Sequence, residues 1–556
     1  MVSKRLSFSM LIVVAICLLP LLAGVLATII PALGYYPALG HHNIHLAQWA
    51  KLFSEPGLLF SLTLSLKIGI VSTLLAVALT FTLLSLLWQQ RGWRIVSLYL
   101  APALALPHVA FAIGLSFVLA PSGWFIRLLM PLLDGSEPPL WMTINDPWGW
   151  SLIVMLIIKE VPFLLLMALG VLSQLEPERQ LLMARSLGYD RIQAWWKVLV
   201  PQIYTKLRLP IAAVLVYGIT VVDAAMIIGP QLPPPMAIRV FQWFQHSDLD
   251  HRLLACCGAI LLTLSTLLVL GLWRMAERAL LPLSKRVWLN ARKRVHHPAV
   301  MLGAFALPVL ALLSVMTLIA LIIWSLTQHW HFPRLMPATL SLQAWYHASN
   351  ALKGPMFTAL TLALSATLLA TVATIIVLEY QQQRDRYWPM VIPCCALFIP
   401  GITLFTGLPM LLNQITHHLP FIAVVWGHLL MAFPYVYLSL HGPYKAIDGR
   451  YITVARSLGA SSFTVWWKIK RPLLQSAILS ALAIGFSVSI VQYLPTLLMS
   501  GGRLATVTTE AVAITASYDR TSAAIYGLSQ AAMPLTVFWL IKLWKPKHLR
   551  KRYQSS

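Results

Sequence analysis

Four charged residues of this chain, Lys67, Lys159, Glu160 and Asp223, with His108 and His428 as weaker companions, interrupt stretches that are otherwise apolar. A charge at the centre of a membrane helix costs ~2.5–3.5 kcal/mol to insert, so each marks either a solute pathway or a buried structural pair. Lys159 has both readings: contact with solute, or neutralisation of Glu160 or Asp223. A second group is histidine. Ten of the sixteen, His41, His42, His45, His246, His251, His329, His331, His347, His417 and His418, fall in loops on one face. Neutral imidazole binds transition metals, but no acidic or cysteine co-ligands accompany these at metal-site spacing, so no metal centre is expected. Cys17 and the adjacent pairs Cys256-Cys257 and Cys394-Cys395 form neither a disulfide framework nor a CxxC site. No GxxxxGK[ST] occurs, so the chain is expected to bind no ATP itself.

The elements that must position these groups are set by composition. The 556 residues are 59% apolar and only 10% charged, with a mean hydropathy of +0.76. A soluble enzyme would be nearer ~45–50% and ~25%. The sequence is therefore read as an all-α membrane protein. Twelve stretches are long and apolar enough to cross a bilayer, at 8–32, 58–88, 95–120, 149–173, 209–229, 253–273, 299–326, 355–380, 388–412, 420–441, 476–498 and 522–541. The first continues to Ile30 without an AxA-like cleavage site and is read as a retained span.

Net charge is +24, from 41 basic and 17 acidic residues. In a soluble chain this would suggest nucleic acid. Assigned to the loops between spans, 31 of the 41 fall on one side. Positively charged loops resist translocation, so both termini are expected in the cytoplasm and no nucleic-acid partner is implied.

The chain also repeats itself. Residues 184–201 read ARSLGYDRIQAWWKVLVP and residues 455–472 read ARSLGASSFTVWWKIKRP, sharing nine of eighteen positions at an offset of 271. Fainter echoes pair Pro107 and Gly114-Leu115 with Pro400 and Gly407-Leu408, and Pro162 and Gly170 with Pro434 and Gly442. Both strong copies follow the fourth span of a six-span half, so the halves run parallel, 1–290 and 291–556, with loops at 174–208 and 442–475. Each loop reads as two short helices around a glycine. Pro177 opens the first, Gly188 ends it in the left-handed conformation, Asp190 caps the second and Pro201 is expected to stop it. Ser461 caps the second copy. Such an elbow, with apolar and aromatic faces, suits docking. A plainer reading has Trp195-Trp196 and Trp466-Trp467 anchoring an amphipathic helix among lipid headgroups.

These loops resemble the cytoplasmic EAA loop of binding-protein-dependent ABC transporter permeases. Ala184 and Ala455 match the second alanine of that pattern, Gly188 and Gly459 its glycine, Val198 and Ile469 its isoleucine, and Pro201 and Pro472 its proline. The glutamate position holds Leu182 and Thr453, with Glu178 and Asp448 near enough to replace it. The resemblance covers both halves, and their fusion is similar to the ferric-iron and thiamine permease group. It implies a type I importer fold and a bacterial inner-membrane location. It also implies two copies of a separate ATPase, carrying ATP and Mg, seated on Ala184, Arg185, Ser186, Leu187 and Gly188 and on Ala455, Arg456, Ser457, Leu458 and Gly459. A periplasmic solute-binding protein would meet the outer loops at 231–236 and 501–509, and membrane lipid would surround the chain. The family's use of its fifth span points to Tyr217, Asp223, Lys159 and Glu160, with Gln492 and Tyr493 opposite, as pathway residues. Met499 to Arg503 superficially resembles the ABC ATPase signature, but lies on the opposite face and reads as a glycine turn.

The chain is thus expected to be a transport subunit without enzymatic activity. The rival is an ion-coupled secondary transporter, which would carry several intramembrane carboxylates and a basic loop after its second span; that loop is only Gln89 to Arg94. A lipid-linked transferase would need a DDxxD-like cluster, which is absent.

Overall fold

The computed structural model describes residues 4–90, 106–133, 137–290, 298–327, 329–384 and 388–544, together with 93, 96, 100 and 103. The described residues are almost wholly helical and contain no strand beyond an isolated bridge between Tyr36 and His41. With no water in a bilayer core, a helix is the way an apolar segment satisfies its own N–H and C=O groups. Eleven helices among them are long and apolar enough to cross, and a bent pair makes a twelfth. They are Leu6–Ala32 (α1), Leu58–Leu87 (α2), His108–Pro131 (α3), Trp150–Leu172 (α4), Arg191–Thr220 (α5) and His251–Leu280 (α6), then Gly303–Ser325 (α7) and Gln343–Arg384 (α8). Trp388–Phe398 and Gly401–Leu411, bent by 97° at Pro400, form α9, followed by Pro420–Lys445 (α10), Ser462–Ile490 (α11) and Arg520–Ile541 (α12). Of the expected third span, 95–120, eight positions between 95 and 105 lie outside the described residues.

Local chemistry sets several starts. Asp146 accepts from the backbone N–H groups of Trp150 (2.7 Å) and Ser151 (2.9 Å), which have no partner within α4. The largest departure from the sequence reading concerns the fifth and eleventh spans, placed at 209–229 and 476–498. Both begin far earlier, at Arg191 and Ser462, and end at Thr220 and Ile490. Beyond those ends come the short helices Asp223–Ile228 and Met236–Phe244 in one half, and Leu494–Ser500 and Val507–Thr515 in the other. Each member of the second set starts 271 residues after its counterpart.

The first span of each half packs against the opposite half. Helix α1 lies on Gly401–Leu411, where Thr28 donates to the Thr403 carbonyl at 2.8 Å and Trp426 donates to the Ile16 carbonyl at 2.8 Å. A Cβ at Gly407 would collide with the backbone of Gly24 and Thr28. In mirror fashion α7 lies on α3, and a Cβ at Gly114 would stand 2.8 Å from the Thr317 carbonyl. Small residues let helix backbones approach closely where lipid supplies no hydrophobic drive between helices. Gly114 and Gly407, paired in the sequence echo, thus occupy the same structural place.

Candidate functional site

The repeated loops fold as two matching elbows. In the first, Pro177–Ser186 is helical, with Pro177 at its opening position. Gly188 then turns left-handed at φ +89°, its N–H reaching the Arg185 carbonyl (3.0 Å) and that of Tyr189 the Ala184 carbonyl (3.3 Å). In the second, Gly459 has φ +80°, its N–H reaches Arg456 (3.0 Å) and that of Ala460 reaches Ala455 (3.0 Å). Each ARSLG segment is therefore a Schellman cap, which satisfies the last carbonyls of a helix through a left-handed glycine. Asp190 then accepts from the Gln193 N–H at 2.7 Å, and Ser461 from that of Thr464 at 3.2 Å, starting the second helix of each elbow.

Burial within the cap is the same in both copies. Ala184 and Ala455 are buried, whereas Arg185, Ser186, Arg456 and Ser457 face outward. Leu187 and Leu458 project at the turns, 67% and 82% exposed, beside Met183 and Val454. A Cβ on either glycine would meet nothing within 4 Å. Two equivalent apolar knobs thus stand free of the rest of the chain.

Pro201 and Pro472 do not stop the second elbow helix. Trp195–Leu199 and Trp466–Lys470 form wide π-turns in which the N–H of Val200 reaches the Trp195 carbonyl, and that of Arg471 the Trp466 carbonyl. Widening the turn just before a proline removes the carbonyl its ring would strike, so the helix continues. Each elbow is consequently the leading end of α5 or α11. One of the four tryptophans departs from the headgroup-anchor reading: Trp195 is wholly buried against Trp88, with ring centroids 6.2 Å apart, and Arg191 donates to the Trp88 carbonyl at 2.6 Å, whereas Trp467 is 49% exposed. Glu178 and Asp448 are engaged within the chain, the first accepting from Gln89 and the second from the Arg450 N–H at 2.9 Å.

At the far ends of α5 and α11 the two halves meet. The Tyr217 ring lies 5.0 Å from His108, and His108 Nε2 stands 3.7 Å from a Glu160 carboxylate oxygen. The short helix that Asp223 opens packs on α3 and α4 and, across the interface, on Val507–Thr515, while Tyr493 packs 6.0 Å from Phe241. Tyr435 lies on α10, one residue after Pro434. Tyr217, His108 and Glu160 are thus gathered, with Asp223 and Tyr493 at the breaks that follow α5 and α11, and Tyr217 and Asp223 retain partial exposure within the bundle.

Other expected members stand apart. Among the described residues Lys159 forms no ion pair with Glu160 or Asp223 and donates to the carbonyls of Ala103 (2.7 Å) and Leu106, ahead of α3. Gln492 turns back to the Val488 carbonyl at 3.1 Å. Lys67 sits near the rings of Trp148 and Trp150 and donates to the Trp148 carbonyl. His428 is buried between Ser489 Oγ (2.7 Å) and Thr496 Oγ1 (2.8 Å), bridging the break after α11. Asp223 corresponds by offset to Leu494. Tyr435 and Phe241 were missed by sequence reasoning; the shared proline before Phe163 and Tyr435 was the available signal.

No family model matches the chain. It is 31% identical over 540 residues to the inner membrane ABC transporter permease protein YnjC of Escherichia coli (strain K12), covering 95% of this chain and 94% of the relative. The thiamine transport system permease protein ThiP of the same organism is 25% identical over 475 residues, covering 80% and 81%. The spermidine/putrescine permease protein PotC, also from that organism, matches at 26% over 128 residues, 23% of this chain and 48% of the relative. Similarity running through both halves, joined to twelve apolar crossings, establishes that the chain belongs to the ABC transporter permeases: it is a multi-pass inner-membrane transport subunit of an ATP-driven importer and not an enzyme.

Proposed function

We propose that the elbows centred on Arg185 to Gly188 and Arg456 to Gly459 seat two copies of the separate ATPase, and that α5 and α11 carry closure of those copies to the midline. The observation supporting this is continuity. Each elbow's second helix is the first turn of a span of 30 or 29 residues, about 45 Å of helix at ~1.5 Å per residue. Its other end breaks beside Asp223 or Tyr493. A rigid rod that long moves the midline cluster when its loop end is pushed. ATP and Mg belong to the ATPase, and both termini of this chain lie with it in the cytoplasm.

A periplasmic binding protein delivers solute to the outer loops, where Leu232 is 90% exposed and Gly501 and Gly502 form a left-handed turn. Rocking of the halves then exposes the cleft around Tyr217 and Asp223 to each side in turn. Its carboxylates, Glu160 and Asp223, and its three tyrosines suit a cationic solute better than an oxyanion, because Lys159 is held away by carbonyls. The experiment is substitution of Gly188 and Gly459 together by valine in the assembled transporter. Loss of binding-protein-stimulated ATP hydrolysis and of uptake is expected; if both persist, the elbows are not the coupling element.

A further inference from the structure

Immediately behind the second elbow lies a buried polar cluster with no equivalent in the first half. Lys470, the last residue of its π-turn, is 4% exposed and places Nζ 2.6 Å from a Glu379 carboxylate oxygen and 2.6 Å from Gln382 Oε1. Tyr444 donates to the same Glu379 oxygen, and Lys470 Nζ lies 5.4 Å from the Tyr444 ring centroid. Three spans converge here: Glu379 and Gln382 end α8, Tyr444 ends α10 and Lys470 begins α11.

The repeat supplies the comparison. The similarity of LTLSL at 62–66 to LTLAL at 360–364 pairs Glu379 with Phe81 and Gln382 with Leu84, the echo of Pro162 with Pro434 pairs Tyr444 with Leu172, and the elbow offset pairs Lys470 with Leu199. All four first-half residues are buried and apolar. The same joint therefore packs well without charge, and a buried ion pair of this kind is weak evidence for stability, since matched hydrophobic residues do as well or better. The first elbow is tied to the loop end of α2 by different bonds, Arg191 to the Trp88 carbonyl and Gln89 to Glu178, and its span to α6 by Glu277, which accepts from Tyr204 (2.5 Å) and pairs with Arg208 (3.1 Å), both on α5.

We propose that Lys470, Glu379 and Tyr444 are positioning residues that make α8 and α10 move with the second elbow, through a charged joint whose first-half counterpart is apolar. Directional, charge-assisted hydrogen bonds hold three helix ends in one register, where apolar side chains permit sliding. The proposal rests on the reading of the elbows as the ATPase seats.

The test uses the permease in lipid nanodiscs with its ATPase, with spin labels on the second elbow and on the loop ends of α8 and α10. Distances to α3 are recorded without nucleotide and with ATP plus vanadate. In the unsubstituted protein the elbow and both span ends shift together. In a graft of the first half's residues (Glu379→Phe, Gln382→Leu, Tyr444→Leu, Lys470→Leu), the elbow still shifts but the displacement of α8 and α10 falls by at least half. The charge exchange Glu379→Lys with Lys470→Glu restores it relative to Glu379→Gln alone, a rescue that a merely structural role would not require. Unchanged movement of α8 and α10 in both the graft and Glu379→Gln overturns the proposal. Elbows that stay still in the unsubstituted protein overturn the ATPase-seat reading itself, and this proposal with it.

Discussion

Gly188 and Gly459, 271 residues apart, adopt the same left-handed backbone at φ +89° and +80°, and each faces open space where a Cβ would project. Steric crowding therefore cannot be what requires glycine there. The requirement is the backbone itself, which costs an L-residue roughly 1–2 kcal/mol. Alanine at either position should shift the elbow's local opening by about that amount, read as faster amide exchange in residues 184–190 or 455–461. Valine, being β-branched, should be worse.

The exposed knobs give a separable prediction. Leu187→Glu and Leu458→Glu change no packing within the chain, since both side chains are largely exposed. The permease should keep its thermal stability while its recovery of ATPase in a pull-down falls, further for the double variant than for either single one. Equal recovery would exclude these leucines from the seat.

Caps should affect stability first. Asp190→Ala and Ser461→Ala each remove the acceptor for an N–H at the start of a lever helix, at a cost of about 0.5–2 kcal/mol. Threonine or asparagine replacements should recover most of it, measured as the unfolding midpoint in detergent.

The midline charges should divide by role. Lys159→Met leaves the carbonyls of Ala103 and Leu106 without their shared donor, so thermal stability should fall, at about 1–3 kcal/mol per orphaned group. Asp223→Asn should leave stability nearly unchanged and reduce ATP-driven uptake of the binding protein's solute by roughly tenfold, about 1.4 kcal/mol. Reversal of those two phenotypes would exchange their assigned roles.

Much of this arrangement was legible because the signals were local. The apolar runs, the glycine that ends each elbow's first helix, and the caps at Asp190 and Ser461 all follow from neighbouring residues, and the glycines and caps have the expected geometry. What was not legible depends on distant contacts or on a competing local rule. Pro201 reads as a helix stop until the π-turn before it is seen, so the start of the first lever was placed at 209 rather than at Arg191. The exchange of α1 and α7 between halves leaves only glycines as its trace. Lys159 follows Ile158 and precedes Glu160, and nothing adjacent indicates that its partners are carbonyls ahead of α3. Tyr435 escaped notice because its repeat counterpart, Phe163, is apolar.

Both elbows are expected to hold an ATPase at once. A photoreactive amino acid placed at Leu187 or at Leu458, in membranes containing the assembled transporter, tests it most directly. Each position alone should cross-link to the ATPase, and a chain carrying both should yield a product with two ATPase copies on one permease. Cross-links confined to lipid or to the permease itself, or a single ATPase whichever position is used, would contradict the account.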